Sequence, residues 1–308
     1  MTTDPGIITH ELLRDNEALW IKGGFASAGE FLEYPLSISG CCSISIFDGC
    51  GGMSLALEIK RVPTVCPWEV EKDNRLDVVK NAVVLWQLAN SRRVSFSWLA
   101  MPCRSWTLAR KPLLRSLDHL DGEPWVALLG SWKQISLVDD GNILILFTAM
   151  FIMMLLRAQC RFALENPLRS LAWWHPLLRW IAKQTGVIYT HFDMCEYGAP
   201  WRKTTCVLHD TPFLSQLKRG QKNRSDLLVL RGKVWYEGEW VFRTALASQY
   251  PPGLCQKVAS LVSEYGRGKQ TEQACVLDCH GIPNCGETTK KAGIHARKRK
   301  VHQEKDPA

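Results

Sequence analysis

Two short stretches of the 308-residue chain combine residue types that covalent and acid chemistry use. In Met101-Pro102-Cys103-Arg104-Ser105-Trp106-Thr107 a cysteine follows a proline at the end of an apolar run, Val94 to Ala100. A proline-stiffened turn at a strand end holds a thiol at the rim of a sheet, where its thiolate reaches a substrate as a nucleophile. Glu165-Asn166-Pro167 closes a second apolar run, Cys160 to Leu164. There Pro167 fixes the exit from the strand, and Glu165 is a candidate general acid. The structural alternatives stand beside these: cysteine is among the most buried residue types, and a glutamate before a turn also serves as a helix-entry cap.

A third stretch suggests a ligand. Ser43-Ile44-Ser45-Ile46-Phe47 is β-prone and stops at Asp48-Gly49-Cys50-Gly51-Gly52, after which helix-forming residues resume at Met53. Glycines at such a turn let the backbone approach a nucleotide or amino-acid moiety closely. Gly49, Gly51 and Gly52 give GxGG, and Ser54 occupies the place of the third glycine in the GxGxxG fingerprint of dinucleotide sites. Adenosine without a pyrophosphate is the better match. About 20 residues on, at the end of Val62 to Val70, Glu69 is placed to hydrogen-bond ribose hydroxyls.

The elements that must position these residues alternate between strands and helices. The sequence predicts strands over 43–47, 62–70, 94–100 and 160–164, with helices over 53–60, 73–89 and the apolar run Ile143 to Leu156 between them. That order argues for an α/β domain with a mainly parallel twisted sheet, in which ligands gather at the carboxyl ends of the strands. Gly49, Glu69, Cys103 and Glu165 all fall at such ends. The domain is expected over 41–265, closing on a helix from Gly253 to Tyr265, with an arm over 1–40 and a polar, basic tail over 266–308.

Composition narrows the class. With 46% hydrophobic residues the chain can bury one sizeable core. The net charge of +8 favours an anionic partner such as nucleic acid. The first residues carry early acids and no apolar core, which argues against a secretory signal and for the nucleus or cytoplasm. The run Arg297-Lys298-Arg299-Lys300 favours the nucleus as an import or nucleic-acid-binding signal. Ile143 to Leu156 is shorter than the roughly 20 residues that cross a bilayer, so no membrane partner is expected. The twelve cysteines read as thiols. Cys275, Cys279, His280 and Cys285 lack a paired CxxC, and no metal is expected.

Taken in order, these motifs resemble the DNA cytosine-5 methyltransferase family over about Cys41 to Leu261. The family's Phe-x-Gly-x-Gly-Gly resembles Phe47 to Gly52, its ribose-binding acid Glu69, its Pro-Cys loop Pro102-Cys103, its Glu-Asn dipeptide Glu165-Asn166, and its Tyr-Gly-x-Pro loop Tyr197 to Pro200. Met101 stands where a second proline is usual. Trp201-Arg202-Lys203-Thr204-Thr205 replaces Gln-x-Arg-x-Arg, so Lys203 keeps one cation and Thr205 loses the other. The stretch that would recognise the target is short, about 206–243.

The resemblance implies a Rossmann-like S-adenosylmethionine-dependent methyltransferase fold with a small recognition appendage. It assigns Phe47, Gly49, Gly51, Gly52, Glu69 and Pro102 to the cofactor, with Trp68 flanking the adenine, and Cys103, Glu165 and Lys203 to catalysis. The thiolate of Cys103 would add to carbon 6 of cytosine while Glu165 hydrogen-bonds or protonates ring nitrogen 3. Arg202 and Lys203 would attend the base or its phosphate, and in duplex DNA the base must first be flipped out. Three other readings remain: a non-catalytic nucleic-acid-binding protein on the same fold, an RNA substrate, and, behind these, an NAD dehydrogenase.

Overall fold

In the computed structural model, residues 42–65, 77–217, 227–236 and 238–269 are described. The arm, Trp68 and Glu69, the C-terminal cysteines with His280, and the basic run near 300 lie outside the described residues.

The chain opens on β1 (Cys42–Ile46), whose five residues are all buried. Phe47, Gly49 and Gly51 then take φ values of 62°, 56° and 80°, turning the backbone tightly into α1 (Gly52–Ile59). Two of these positions are glycines, which enter the left-handed region without penalty; Phe47 does so at some strain. After α1 the chain returns along β1, where Ser43 N–H donates to Pro63 O and Val65 N–H to Ser43 O. This is the start of the strand expected over 62–70; the rest lies outside the described residues.

The helix expected over 73–89 is shorter. Asp77 Oδ1 accepts from the N–H groups of Val79 and Lys80, holding a turn, and α2 (Ala82–Asn90) begins only after it. An aspartate that bonds the backbone ahead of it favours turns and caps over helix interiors, which delays the start. β2 (Val94–Leu99) follows. A long loop then leads through α3 (Pro124–Leu129) to α4 (Trp132–Arg157), which starts on a capping box in which Ser131 and Gln134 bond reciprocally. By length and composition alone α4 could cross a bilayer, but 61% of its most apolar stretch is inside the core.

β3 (Arg161–Pro167), α5 (Pro176–Ile181), β4 (Ile188–Asp193) and β5 (Thr204–His209) complete the main sheet. Its order is β1-β2-β3-β5-β4. β1, β2 and β3 are parallel, and β5 lies antiparallel between β3 and β4. One core packs Ile44, Leu99, Phe162 and Leu164 against α2, α4 and α5. The second packs Phe96, Trp98, Ala163 and Val207 against α1 and the terminal α7 (Pro252–Lys269). Helices on both faces of a mostly parallel sheet make this a three-layer α/β fold.

The segment 206–243 divides in two. Cys206 to His209 belong to β5 inside the main sheet, because Val207 and Leu208 are fully buried on its two faces. What stands apart is a hairpin, β6 (Lys233–Tyr236) and β7 (Glu239–Phe242), followed by the short α6 (Arg243–Leu246). Trp235, Trp240 and Phe242 lie largely exposed on this hairpin.

Candidate active site

Cys103 sits just past the end of β2, half-buried. Two contacts fix its loop. Trp106 N–H donates to Cys103 O at 3.0 Å, closing a tight turn, and Asn166 Nδ2 donates to Met101 O at 2.8 Å. The second bond ties the Pro-Cys loop to the neighbouring strand that carries Glu165. Glu165 is not past the strand end, as the sequence suggested, but two residues inside β3, and it is 5% exposed. Its Oε2 accepts from the Tyr250 hydroxyl at 2.9 Å, and that hydroxyl accepts in turn from Trp98 Nε1 at 3.2 Å. Its Oε1 is buried with no hydrogen-bond partner among the described residues. A buried carboxyl oxygen left unbonded is costly, and it is a site ready for a donor or acceptor.

Cys103, Glu165 and Lys203 converge electrostatically. Burial pushes the Cys103 thiol above its ordinary value; the Lys203 ammonium opposes this, and the Glu165 carboxylate adds to it. Lys203 Nζ donates to Ala247 O at 3.2 Å, anchoring the cation to the turn after α6. Arg202, its side chain partly exposed, pairs with the buried carboxylate of Asp193 at 3.3 Å. Thr205, where the family has a second cation, is fully buried and bonds the Lys203 carbonyl.

The glycine turn ends at the same edge of the sheet. Asp48 is buried and accepts from Met53 N–H, Ser54 N–H and Ser54 Oγ–H at 3.1, 2.9 and 2.6 Å. Its carboxylate therefore occupies the N-terminal donors of α1. A side chain at Gly49 would enter open space, whereas one at Gly52 would meet Cys255 Sγ at 3.5 Å. Gly49 thus faces open space and Gly52 faces α7. Phe47 packs edge-on against Phe147 with centroids 6.2 Å apart, which fixes its ring beside the turn. Pro102 is half-buried.

Three supporting groups gave no motif in the sequence. Arg115 is fully buried and donates to Leu120 O, Asn142 Oδ1 at 2.6 Å, Ser105 Oγ at 3.1 Å and Val138 O at 2.7 Å. Its guanidinium also lies 3.7 Å from the Trp106 ring centroid. Burial lowers its pKa to about 10. Gly141 on α4 makes room for this clamp: a Cβ there would come within 2.3 Å of Ser105 Oγ and 2.6 Å of Arg115 Nη2. Tyr250, just ahead of the terminal helix, is the partner of Glu165.

Among the described residues, no group of three or more His, Cys, Asp or Glu is placed to hold a metal. No protein-family model matches the chain, and no curated protein matches it.

Proposed function

We propose that the chain is an S-adenosylmethionine-dependent methyltransferase that modifies carbon 5 of cytosine in nucleic acid, DNA first, through a covalent adduct with Cys103. The observation that carries this reading is the electrostatic coupling of a thiol just past β2, a carboxyl near the end of β3 and an ammonium just before β5, at the carboxyl edge of the sheet.

The cofactor reading has support at the glycine turn. Asp48 already fills the donors at the start of α1 and puts a negative charge there, so a pyrophosphate would meet repulsion where it normally finds a positive helix end. A cationic sulfonium meets no such repulsion. This favours the methyl donor over a dinucleotide, and the open side of Gly49 leaves room for it. When bound, that cofactor supplies an electrophilic methyl group.

The chain's own residues would do the rest. The Cys103 thiolate forms a bond to carbon 6, and the electron pair displaced onto the ring makes carbon 5 nucleophilic. Glu165 Oε1, the unbonded oxygen, engages ring nitrogen 3, while Tyr250 holds Oε2 in place. Lys203 stabilises the thiolate before attack and the negative charge after it. With the methyl group accepted at carbon 5 and the donor left as a neutral thioether, loss of the carbon-5 proton to water and expulsion of the Cys103 thiolate would restore the aromatic ring.

Incubating the protein with S-adenosylmethionine and an oligonucleotide bearing 5-fluorocytosine tests this, since fluorine blocks the last elimination. The expected result is a denaturation-stable adduct on Cys103 that is absent in Cys103→Ala. An adduct that survives the substitution, or none on either DNA or RNA, would overturn it. The second reading, a nucleic-acid-binding protein without turnover, is favoured by Thr205, whose buried hydroxyl replaces the second cation.

A further inference from the structure

A cavity of about 370 Å³ opens beside the candidate active site, at the same end of the sheet but on its other face. Glu165 turns toward Tyr250 and the α7 layer. Its neighbour Asn166 faces the other way, level with Cys206 of β5 and His191 of β4. The cavity lies on that second face. Cys206 forms its floor, and Trp173, Trp174, Tyr189, His191 and Arg179 form its walls. The size falls within the roughly 300–1,000 Å³ of small-ligand sites.

The walls are aromatic and unusually exposed. Trp174 is 52% and Tyr189 41% exposed. Trp173 braces Tyr189 edge-on at 5.7 Å, leaving the Tyr189 ring held at a fixed angle. The Arg179 guanidinium stands 5.8 Å from the Trp174 centroid, near the ~6 Å outer limit of cation–π contact, so it is not committed to that ring. None of the residues that line the cleft is Asp or Glu, while Arg179 among them, and Arg169 and Lys183 nearby in the chain, are exposed. Exposed flat rings beside exposed cations suit a ligand that is planar, apolar on its faces and anionic at its edge, which describes a nucleotide.

We propose that this cleft holds a base of single-stranded nucleic acid, stacked on Trp174 and Tyr189 with its phosphate at Arg179. The choice of nucleic acid rests on the proposed reading of the Cys103 site; the stacking chemistry of the cleft does not. Leu168, which lines the cleft, follows directly on β3, three residues after Glu165. A strand whose target base lies at Cys103 would thus pass a neighbouring base to the other face of the sheet.

The test uses the full chain with a fluorescein-labelled oligothymidylate containing one 5-iodouracil. Fluorescence anisotropy reads affinity, and irradiation followed by peptide mass spectrometry reads the contact. The expected cross-link is on Trp174 or Tyr189, and Trp174→Ala and Arg179→Ala should each weaken binding about ten-fold. Cross-links confined to the Trp235–Trp240 hairpin, variants that bind as the wild type does, or a wild type that binds no single strand would overturn the proposal. Covalent trapping at Cys103 is measured in parallel on the wild type. If trapping fails while the cross-link stays at Trp174 or Tyr189, the methyl-transfer reading falls and the cleft stands. If trapping succeeds and the cross-link lies elsewhere, the cleft falls alone.

Discussion

The Asn166 side chain donates to the Met101 carbonyl at 2.8 Å, so the strand that carries Glu165 directly holds the loop that carries Cys103. Asn166 is 1% exposed, so removing its side chain leaves the Met101 carbonyl short of a buried donor. The bond sets the spacing between nucleophile and acid. Asn166→Ala should therefore lower both stability, by about 1–3 kcal/mol, and the rate of adduct formation, by about ten- to a hundred-fold. Thermal unfolding and the 5-fluorocytosine trapping rate check the two; a stable variant that traps at the wild-type rate contradicts the role.

The thiol of Cys103 should show opposite responses to its two charged neighbours. Burial holds it above the ordinary value of 9.0, so the neutral thiol dominates at neutral pH and reactivity climbs as pH rises past that value. Lys203 lowers the pKa and Glu165 raises it. Lys203→Met should move the inflection of iodoacetamide alkylation up, and Glu165→Gln should move it down. Alkylation followed by mass spectrometry of the Cys103 peptide from pH 7 to 10 reads both, and shifts of the same sign would contradict the cluster.

Gly141 tests the arginine clamp. In an exposed helix, glycine to alanine gains up to about 1 kcal/mol. At Gly141 the new methyl would sit 2.3 Å from Ser105 Oγ and 2.6 Å from Arg115 Nη2, and 3.2 Å from Trp106 Nε1. The clash should win, with a net loss of about 1–3 kcal/mol by urea unfolding and a slower trapping rate, because Ser105 and Trp106 belong to the Cys103 loop. A stabilised Gly141→Ala would show that the clamp yields without consequence.

His209 governs acid stability. It is fully buried; its Nε2 meets Thr190 Oγ1 at 2.8 Å, and its Nδ1 accepts from Thr211 N–H at 3.2 Å. Burial lowers its pKa from 6.5 to about 4. The folded state thus favours the neutral ring, and the unfolded chain takes up a proton first as pH falls. Stability is intact above pH 6.5 and falls by about 3 kcal/mol on the way to pH 4. His209→Gln should flatten urea-unfolding stability across that window, whatever it does at pH 7; an unchanged slope would contradict the assignment.

Much of the fold was legible because its strands are short apolar runs closed by turn residues. The runs at 43–47 and 94–100 became β1 and β2 within a residue, the run at 160–164 became β3 extended by three residues to Pro167, and the glycine turn sits where Gly49 and Gly51 required it. The helix before β2 was overextended because Asp77 holds a turn ahead of it. The span 206–243 was read as one appendage because β5 is an antiparallel strand whose neighbours in the sheet, β3 and β4, precede it in the chain.

Lys203 was named only through the resemblance of its loop; the sequence by itself determined that Cys103 stands at a strand end, from a proline and an apolar run. Such signals are local, set by backbone preference and period. Only the tertiary structure decided that Tyr250 holds Glu165 from 85 residues away, that Arg115 reaches Asn142 and Ser105, and that Asp48 fills the helix donors a phosphate would use. Those pairings depend on which faces of separate elements meet across the sheet, and no periodicity along one segment records its partner in another.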